Sequence, residues 1–516
     1  MNPLNQTEEK REAVPNGVSR VGIAALGVLL QVLWIVWAAL KLTRYYAWVQ
    51  LAISVLAFLL ALRIYGRHTT SATKLSWIIV ILTFPIFGVC LYLLFGRSGA
   101  VNIMRGRFIR TDAELQPHYA PPLDRAAMPQ DPALQNQIHY LQTQAHYPAC
   151  RNTDMTYYGD TNAALEAQKT DLRKAQHFIF MEYHAIEDSI AWQGIEDILA
   201  ERAAAGVEVR VFYDDMGSIG FVDTAFAKKL QQRGIQCRVF NPIVPVLNVF
   251  MNNRDHRKIT VIDGETAYTG GVNIADEYAN LIDRFGYWKD SGIRLEGEGV
   301  WGLTAAFLNM WSFLGGELHE ERDYYRPHTS PATDGFCQPF LDGPQNNPDN
   351  PAEDTFLQLI GSARRFLYIT TPYFIPDENI MRALCIAGDG GVDVRLMLPG
   401  TPDHWYADAV ADSYIGELLE HHVKVYRYTP GFLHAKSIMV DREAAFVGSV
   451  NFDYRSFELH YECGVMLYGA SAIESLLEDM DGILDKSHAV TPEEWAHRGL
   501  LRRMFEPILR VFSIWM

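Results

Sequence analysis

The chain carries one pattern of residues twice, and this duplication limits the folds that it can adopt. HRKITVIDGETAYTGGVN contains the first copy and HAKSIMVDREAAFVGSVN the second, with their leading histidines 178 positions apart. Both copies have the same spacing: two positions from His to Lys, five from Lys to Asp, seven from Asp to the first Gly and three more to Asn. Chance does not produce a match of this length in two distant segments, so we predict two related halves.

Alternating strand and helix patterns precede each copy. In the first half they predict a strand over residues 177–184, a helix over 189–205 and a strand over 207–213. After a loop rich in Pro, Asn, Asp and Gly, the order recurs as helix 354–364, strand 366–371, helix 378–387 and strand 392–398. We therefore predict an α/β fold with two α/β/α halves that form one active site.

Three apolar runs lie near the start of the chain, over residues 21–40, 45–62 and 75–95, and none contains a charged residue. A helix of about 20 apolar residues crosses the hydrocarbon layer of a membrane, so we predict two or three transmembrane helices. Buried core helices of a soluble protein are the alternative. With three spans, six basic residues flank each side of the membrane, and the positive-inside rule gives no orientation. The six cysteines show no paired spacing, which favours a cytoplasmic body.

These patterns divide the chain into seven predicted segments. They are an N-terminal tail (1–20), a membrane segment (21–96), a connector (97–150), a first half (151–328), a linker (329–352), a second half (353–496) and a C-terminal helix of amphipathic character (497–516).

Charge and cysteine content exclude several classes of protein. The net charge is −16, but the first 100 residues carry +6 and the other 416 carry −22. An acidic body repels polyanions, so we expect no nucleic-acid partner. No CxxC or alternating Cys/His spacing occurs, so we predict neither a metal site nor a disulfide framework.

The residue types in the repeat suit phosphate chemistry. Alternate side chains of a strand share one face, so the His and Lys of each copy face one pocket. Two imidazoles and two ammonium groups can then meet at a phosphate, where one His attacks phosphorus and the other protonates the leaving alkoxide. The candidate catalytic residues are His256, Lys258, Asp263, His434, Lys436 and Asp441. Of these, we expect Asp263 and Asp441 to brace the fold rather than touch substrate.

A second set of residues has predicted supporting or substrate-binding roles. Asn273 and Asn451 can donate hydrogen bonds, and Gly271 and Ser449 precede them at equivalent positions. Each catalytic His needs a carboxylate on its far ring nitrogen, and Asp290 and Glu462 are the candidates. His404 is a further candidate for the site.

At these residues the chain resembles the phospholipase D superfamily, whose two HxKxxxxD motifs form one active site, and within it bacterial cardiolipin synthases. PIFGVCLYLLFGR, MEYHAIEDS, FGYWKDSGIRLEG, TPYFIPD and NFDYRSFELHYE carry the resemblance. It implies His256 as nucleophile, His434 as acid and base, a phosphatidyl-histidine intermediate and no metal or cofactor. One departure is His460, where such synthases usually have Asn.

The resemblance implies a multi-pass protein of the bacterial inner membrane. It implies transfer of a phosphatidyl group from one phosphatidylglycerol to another, with membrane lipids as partners. Hydrolysis to phosphatidic acid, or transfer to another alcohol, is the alternative. A nuclease and an inactive membrane scaffold are further alternatives, and the sequence gives no oligomeric state.

Overall fold

The structure is a computed structural model. It describes residues 8–45, 47–67, 71–95, 99–243, 252–346 and 349–499, together with 503, 504, 506, 509, 510 and 513. Most of the C-terminal segment predicted as an amphipathic helix lies outside the described residues.

Four helices precede the body: α1 Glu8–Tyr45, α2 Ala47–Tyr65, α3 Ser71–Thr83 and α4 Pro85–Phe95. The predicted N-terminal tail is helical from Glu8 onwards. Among the described residues, one stretch, Val18–Ala38 of α1, is long and apolar enough to cross a membrane. Gln50–Tyr65 and Thr73–Thr83 are shorter apolar helices.

The third apolar run is two helices rather than one. The ring centroids of Trp77 and Tyr92 lie 5.2 Å apart, whereas a continuous helix would separate residues fifteen positions apart by about 22 Å. Pro85 lacks the amide that would continue α3, so α4 starts in a new direction. The prediction of a single span over residues 75–95 is therefore wrong.

The connector packs helices on the body. These are α5 Gly99–Leu115 and α6 Pro132–Thr143. In α5, the Phe108 ring stacks on Phe313 of the first half at 4.9 Å and on Tyr461 of the second half at 5.2 Å. This helix therefore joins both halves to the membrane segment.

The first half is a twisted sheet covered by helices. Its strands are β1 Thr153–Tyr158, β2 Phe178–Tyr183, β3 Glu208–Asp214, β4 Gln236–Phe240, β5 Arg254–Asp255, β6 Lys258–Ile262, β7 Thr266–Gly270, β8 Tyr287–Lys289 and β9 Gly292–Gly297. Its helices are α7 Thr161–Leu172, α8 Ile190–Ala204, α9 Phe226–Gln232 and α10 Val300–Phe313. The sheet order is β1-β9-β7-β6-β2-β3-β4.

The second half repeats this plan. Its strands are β10 Phe336–Asp342, β11 Phe366–Thr370, β12 Phe374–Ile375, β13 Asp393–Pro399, β14 Lys424–Tyr428, β15 Gly431–Leu433, β16 Ser437–Val440, β17 Ala444–Gly448, β18 Phe452–Asp453, β19 His460–Tyr468 and β20 Ser487–Ala489. Its helices are α11 Pro351–Ser362, α12 Glu378–Asp389, α13 Trp405–Glu420, α14 Ala472–Leu484 and α15 Pro492–Ala496. The sheet order is β10-β19-β17-β16-β11-β13-β14-β20, which matches the first sheet strand for strand before β20.

The two halves share an apolar core and exchange short strands. Ile259 of the first sheet and Met439 of the second are fully buried in the same core. β5 of the first half pairs in parallel with β19 of the second, and β15 of the second half pairs in parallel with β8 of the first. These two pairs join the segments that carry the motif histidines to the opposite half.

Candidate active site

Both motif histidines line one open cavity of about 640 Å³ between the halves. The exposed fraction is 7% for His256 and 5% for His434, so each ring is packed in protein apart from the edge that meets the cavity. The structure therefore brings together two imidazoles that lie far apart in the sequence.

Strand exchange sets the carboxylate partner of His256. β5 ends at Asp255 and runs beside β19, so the backbone amide of His256 donates to the Tyr461 carbonyl at 2.9 Å. This register places the His256 Nδ1 atom 2.9 and 3.0 Å from the two oxygens of Glu462. The carboxylate thus comes from the other half.

The pairing of β15 with β8 sets the carboxylate partner of His434 in the same way. Its backbone amide donates to the Lys289 carbonyl at 2.7 Å, because β15 runs beside β8. Its Nδ1 atom lies 2.6 Å from Asp290 Oδ2. Each imidazole is therefore completed by a carboxylate from the opposite half.

These contacts fix the tautomers. An ionised carboxylate only accepts hydrogen bonds, so Nδ1 of each ring carries the proton and Nε2 keeps its lone pair. Lys436 Nζ also lies 2.8 Å from His434 Nδ1, but the shorter contact of 2.6 Å to Asp290 sets the tautomer. Burial raises the pKa of Asp290, but the charges of His434 and Lys436 and the hydrogen bond from His434 outweigh it and hold that pKa below its ordinary value. Asp290 therefore stays ionised and continues to orient His434.

The motif lysines lie beneath the histidines rather than on the cavity wall. Lys258 donates to the His256 carbonyl, and Lys436 donates to the His434 carbonyl. Burial lowers the pKa of Lys258 to about 8. Burial, reinforced by the nearby Lys258 charge, lowers the pKa of Lys436 to about 7.

The same surroundings favour neutral imidazoles. Burial lowers the pKa of His256 well below its ordinary value, and the charges of Lys258 and Lys436 lower it further. Burial and the Lys436 ammonium lower the pKa of His434 to about 4. A bound phosphodiester monoanion would oppose these shifts, because a nearby negative charge favours the protonated forms. The site is therefore suited to an anionic substrate.

The motif aspartates lie in turns away from the cavity. Asp263 follows β6 with a φ of 52°, and Asp441 follows β16 with a φ of 54°. The Asp263 carboxylate accepts from the backbone amides of three residues, Gln176, His177 and Phe178. Asp441 accepts from the three equivalent amides, those of Arg364, Arg365 and Phe366. Both carboxylates therefore tie a hairpin to the start of the neighbouring strand and contact no cavity group.

Residues at the four supporting positions surround the imidazoles. Asn273 and Asn451 line the cavity. The Ser449 hydroxyl donates to Glu462. At the equivalent position of the first half, any side chain on Gly271 would collide with the carboxylate of Asp290.

Four cavity residues near His256 were not predicted as site residues. The rings of His184 and His460 lie 5.0 and 5.4 Å from the His256 ring. Arg254 and Arg455 also line the cavity, and Arg455 Nε donates to His460 Nε2 at 3.2 Å. This flank is rich in nitrogen donors.

The flank around His434 is aromatic. The rings of Tyr278 and Trp288 each lie 5.3 Å from the His434 ring, and the Phe432 ring lies 5.7 Å away. His404 also lines the cavity, with its Nδ1 atom 2.9 Å from Asp403. That hydrogen bond raises the pKa of His404.

One group of side chains in the described part of the chain could share a metal ion. Ligand atoms of His256, His460 and Glu462 lie within 4.8 Å of one another. Glu462 already accepts hydrogen bonds from His256 and from the Ser449 hydroxyl. The same side chains thus form a hydrogen-bond network around His256.

Comparison with known proteins identifies the family. The family described as "Cardiolipin synthase, PLD-like domain" matches residues 169–283 and 356–484, and "Phospholipase D-nuclease N-terminal" matches 52–97. The chain is 33% identical to cardiolipin synthase 2 of Bacillus cereus over 468 residues, which cover 89% of this chain and 90% of that protein. It belongs to the cardiolipin synthase family.

Two further comparisons agree with this assignment. The chain is 34% identical to the cardiolipin synthase of Halalkalibacterium halodurans over 505 residues, 95% of this chain and 99% of that protein. Among solved structures, phosphatidylserine synthase of Haemophilus influenzae aligns with a TM-score of 0.53 at 15% identity, covering 70% of this chain and 95% of that one. The latter likeness concerns the fold alone, a duplicated phospholipase D-like α/β fold.

Proposed function

We propose that this member of the cardiolipin synthase family is a phosphatidyltransferase that joins two phosphatidylglycerol molecules into cardiolipin and releases glycerol. The observation that carries the proposal is the pair of imidazoles in one cavity, each with its Nδ1 proton held by a carboxylate from the other half.

In the first step, His256 Nε2 attacks phosphorus of the donor lipid. The bound phosphodiester monoanion favours the protonated form of His434, which then carries a second proton on Nε2. A P–N bond forms, the P–O bond to the glycerol head group breaks, and His434 gives its Nε2 proton to the departing glycerol oxygen and becomes neutral. The buried charges of Lys258 and Lys436 stabilise the negative charge on the phosphoryl oxygens. Glycerol leaves, and the phosphatidyl group stays on His256.

In the second step, the hydroxyl of a second phosphatidylglycerol takes the place of glycerol. His434, now neutral, accepts its proton, the hydroxyl oxygen forms a new P–O bond, and the P–N bond to His256 breaks. Cardiolipin leaves, and both imidazoles return to their starting states.

The cavity mouth suits a lipid acceptor better than water. Met216 and Tyr406 line the cavity yet are 39% and 36% exposed, and Trp405, whose ring lies 6.0 Å from the Tyr406 ring, is 73% exposed. An apolar rim in contact with lipid would exclude water from the phosphatidyl-histidine. Transfer to a lipid hydroxyl would then exceed hydrolysis.

The membrane placement belongs to the same proposal. The apolar run Val18–Ala38 and the shorter apolar helices support a multi-pass protein of the bacterial inner membrane, with phosphatidylglycerol as its partner. The −22 charge of the body argues against a nucleic-acid substrate. Residues 151–328 and 353–496 are proposed as the two phospholipase D-like halves.

The test is a reconstituted assay. The full chain in phosphatidylglycerol vesicles should form cardiolipin and glycerol in equal amounts, measured by mass spectrometry in ¹⁸O-labelled water. His256→Ala should abolish both products, while His434→Ala should form a small amount of lipid-labelled enzyme that turns over slowly. If phosphatidic acid carrying ¹⁸O is the main product, the protein is a phospholipase D and the proposal is wrong.

A further inference from the structure

Helices α3 and α4 form a closely packed hairpin. A Cβ atom on Gly88 would lie 2.5 Å from the Cα atom of Ile81, so only glycine allows the two helices to approach this closely. Ile81 is fully buried, and with Trp77, Val89 and other side chains it forms a small apolar core with α2. The hairpin is therefore a packed unit.

Both ends of the hairpin meet the body. At the start of α3, the Ser71 amide donates to the Glu378 carboxylate at 3.2 Å. Beyond α4 the chain enters α5, which packs on both halves through Phe108. The two helices have 13 and 11 residues, about 20 and 17 Å at 1.5 Å per residue. Each is too short to cross about 30 Å of hydrocarbon. α2 has 19 residues, about 28 Å, which is close to that thickness.

The outside of the hairpin is suited to lipid. Residues 75–95 contain no charged side chain. Phe84 at the tip is 61% exposed, and Leu75 and Leu82 on α3 are 59% and 49% exposed. Apolar surface on a segment without charges favours acyl chains over water.

A separate contact places the first end of α1 beside the body. Arg20, at the start of the apolar stretch of α1, pairs with Asp215 of the first half at 2.5 Å. The apolar stretch Val18–Ala38 therefore begins beside the body, and α2 ends at Tyr65, shortly before Ser71. α1 ends at Tyr45 and α2 begins at Ala47.

We propose that α1 and α2 cross the membrane and that α3 and α4 form a re-entrant hairpin, which enters and leaves the bilayer on the side of the catalytic body. This topology changes the charge count. Ten basic residues then flank the membrane on the body side and two, Lys41 and Arg44, on the other; the ten are Lys10, Arg11, Arg20, Arg63, Arg67, Lys74, Arg97, Arg105, Arg107 and Arg110. The positive-inside rule then puts the body in the cytoplasm.

Cysteine labelling tests this topology in the full chain. The six native cysteines are replaced, and the resulting chain is required to match the parent in thermal unfolding. Single cysteines are introduced as Trp48→Cys, Ser71→Cys, Phe84→Cys and Arg107→Cys. A membrane-impermeant maleimide should label Ser71→Cys and Arg107→Cys only in inverted vesicles and Trp48→Cys only in spheroplasts. Phe84→Cys should react only after detergent is added.

Each other pattern overturns the proposal. Labelling of Ser71→Cys and Arg107→Cys from opposite sides would mean a single span, and labelling of Phe84→Cys in inverted vesicles would mean a hairpin on the surface. A complete reversal of sides would refute the cytoplasmic body. The result does not depend on the reaction that the enzyme catalyses.

A pair of glycine variants tests the hairpin itself. Gly88→Leu should open the hairpin and change the labelling of Phe84→Cys, because its side chain meets the α3 backbone. Gly22→Leu is the matched control, since Gly22 has no atom within 4 Å of an added Cβ. Equal labelling of Phe84→Cys in both variants would contradict the packing argument.

Discussion

His256 of the first half donates its Nδ1 proton to Glu462 of the second half at 2.9 Å. The reciprocal contact joins His434 to Asp290 at 2.6 Å. The two bonds occupy equivalent positions in the duplicated halves. Each depends on a short strand of one half that pairs with a strand of the other half. The tautomers of both imidazoles therefore depend on the interface between the halves.

Replacing either carboxylate by its amide should disable the site. In Glu462→Gln and Asp290→Asn the amide can donate to Nδ1, which moves the ring proton to Nε2 and removes the lone pair that attacks phosphorus or accepts a proton. We expect kcat to fall roughly 10²- to 10⁴-fold, as for other histidines held in the wrong tautomer. Initial rates of cardiolipin formation measure this. Glu474→Gln, whose side chain is 56% exposed, is the control, and a change of only a few-fold in both active-site variants would refute the role.

The alkaline limb of the pH profile should report the buried lysines. The pKa is about 7 for Lys436 and about 8 for Lys258, so both ammonium groups lose their charge as the pH rises through these values. We expect kcat/KM, which reflects the free enzyme, to fall over this range. In Lys436→Arg the guanidinium keeps its charge at all these pH values. The fall in kcat/KM should therefore move to higher pH, even if the maximum rate drops. Lys424→Arg on the surface is the control, and an unmoved limb in Lys436→Arg would contradict the assignment.

The turn aspartates should affect stability far more than turnover. Asp263→Ala and Asp441→Ala each leave three backbone amides without their acceptor. A hydrogen bond to a charged group contributes about 1.5 to 3 kcal/mol, so we expect a loss of roughly 3 kcal/mol or more in each variant. Thermal inactivation in detergent measures this, with exposed Asp124→Ala as control. A large loss of kcat in a variant of unchanged thermal stability would mean that the aspartate takes part in the chemistry.

The contact between Arg20 and Asp215 should couple the membrane helix to the cavity. Asp215 precedes Met216, which lines the cavity. The ion pair between Arg20 and Asp215 is partly exposed. Such an ion pair contributes up to about 1 kcal/mol, so Arg20→Glu should raise KM for vesicle phosphatidylglycerol up to about fivefold. KM for a soluble short-chain analogue should not change. The double variant Arg20→Asp with Asp215→Arg should restore the vesicle KM, and failure of that rescue would show that the pair is not responsible.

The duplicated halves were predictable because their signals are local. The strand predicted over residues 177–184 is observed at Phe178–Tyr183, and the helix predicted over 189–205 is observed at Ile190–Ala204. Buried strands and amphipathic helices leave periodic patterns that a single sequence displays. The identical motif spacing also identified both histidines that line the cavity.

The pairing across the interface was not predictable, because β5 has two residues and β8 and β15 have three, too few to show a period. The asymmetry of the cavity has a related cause. Arg254 and Phe432 each lie two positions before a motif histidine, where the repeat differs. The residues that make one flank polar and the other aromatic are not shared by the two copies, so the repeated motif did not indicate them.

The break at Phe84 was hidden for another reason. Hydropathy counts apolar residues and is the same for one long helix and for two short antiparallel ones. Pro85 and Gly88 were the signals available, since proline removes an amide and glycine permits close approach.

Each half supplies the carboxylate that binds the histidine of the other half, and this arrangement has an evolutionary consequence. An ancestor with one copy of the motif would have held an imidazole without its acid and an acid without its imidazole. Two such molecules meeting about a twofold axis would complete both sites at once. Fusion of the two genes would have freed each copy to change separately, and the exchange of an arginine for a phenylalanine before the two histidines is the kind of divergence that an obligate homodimer could not make.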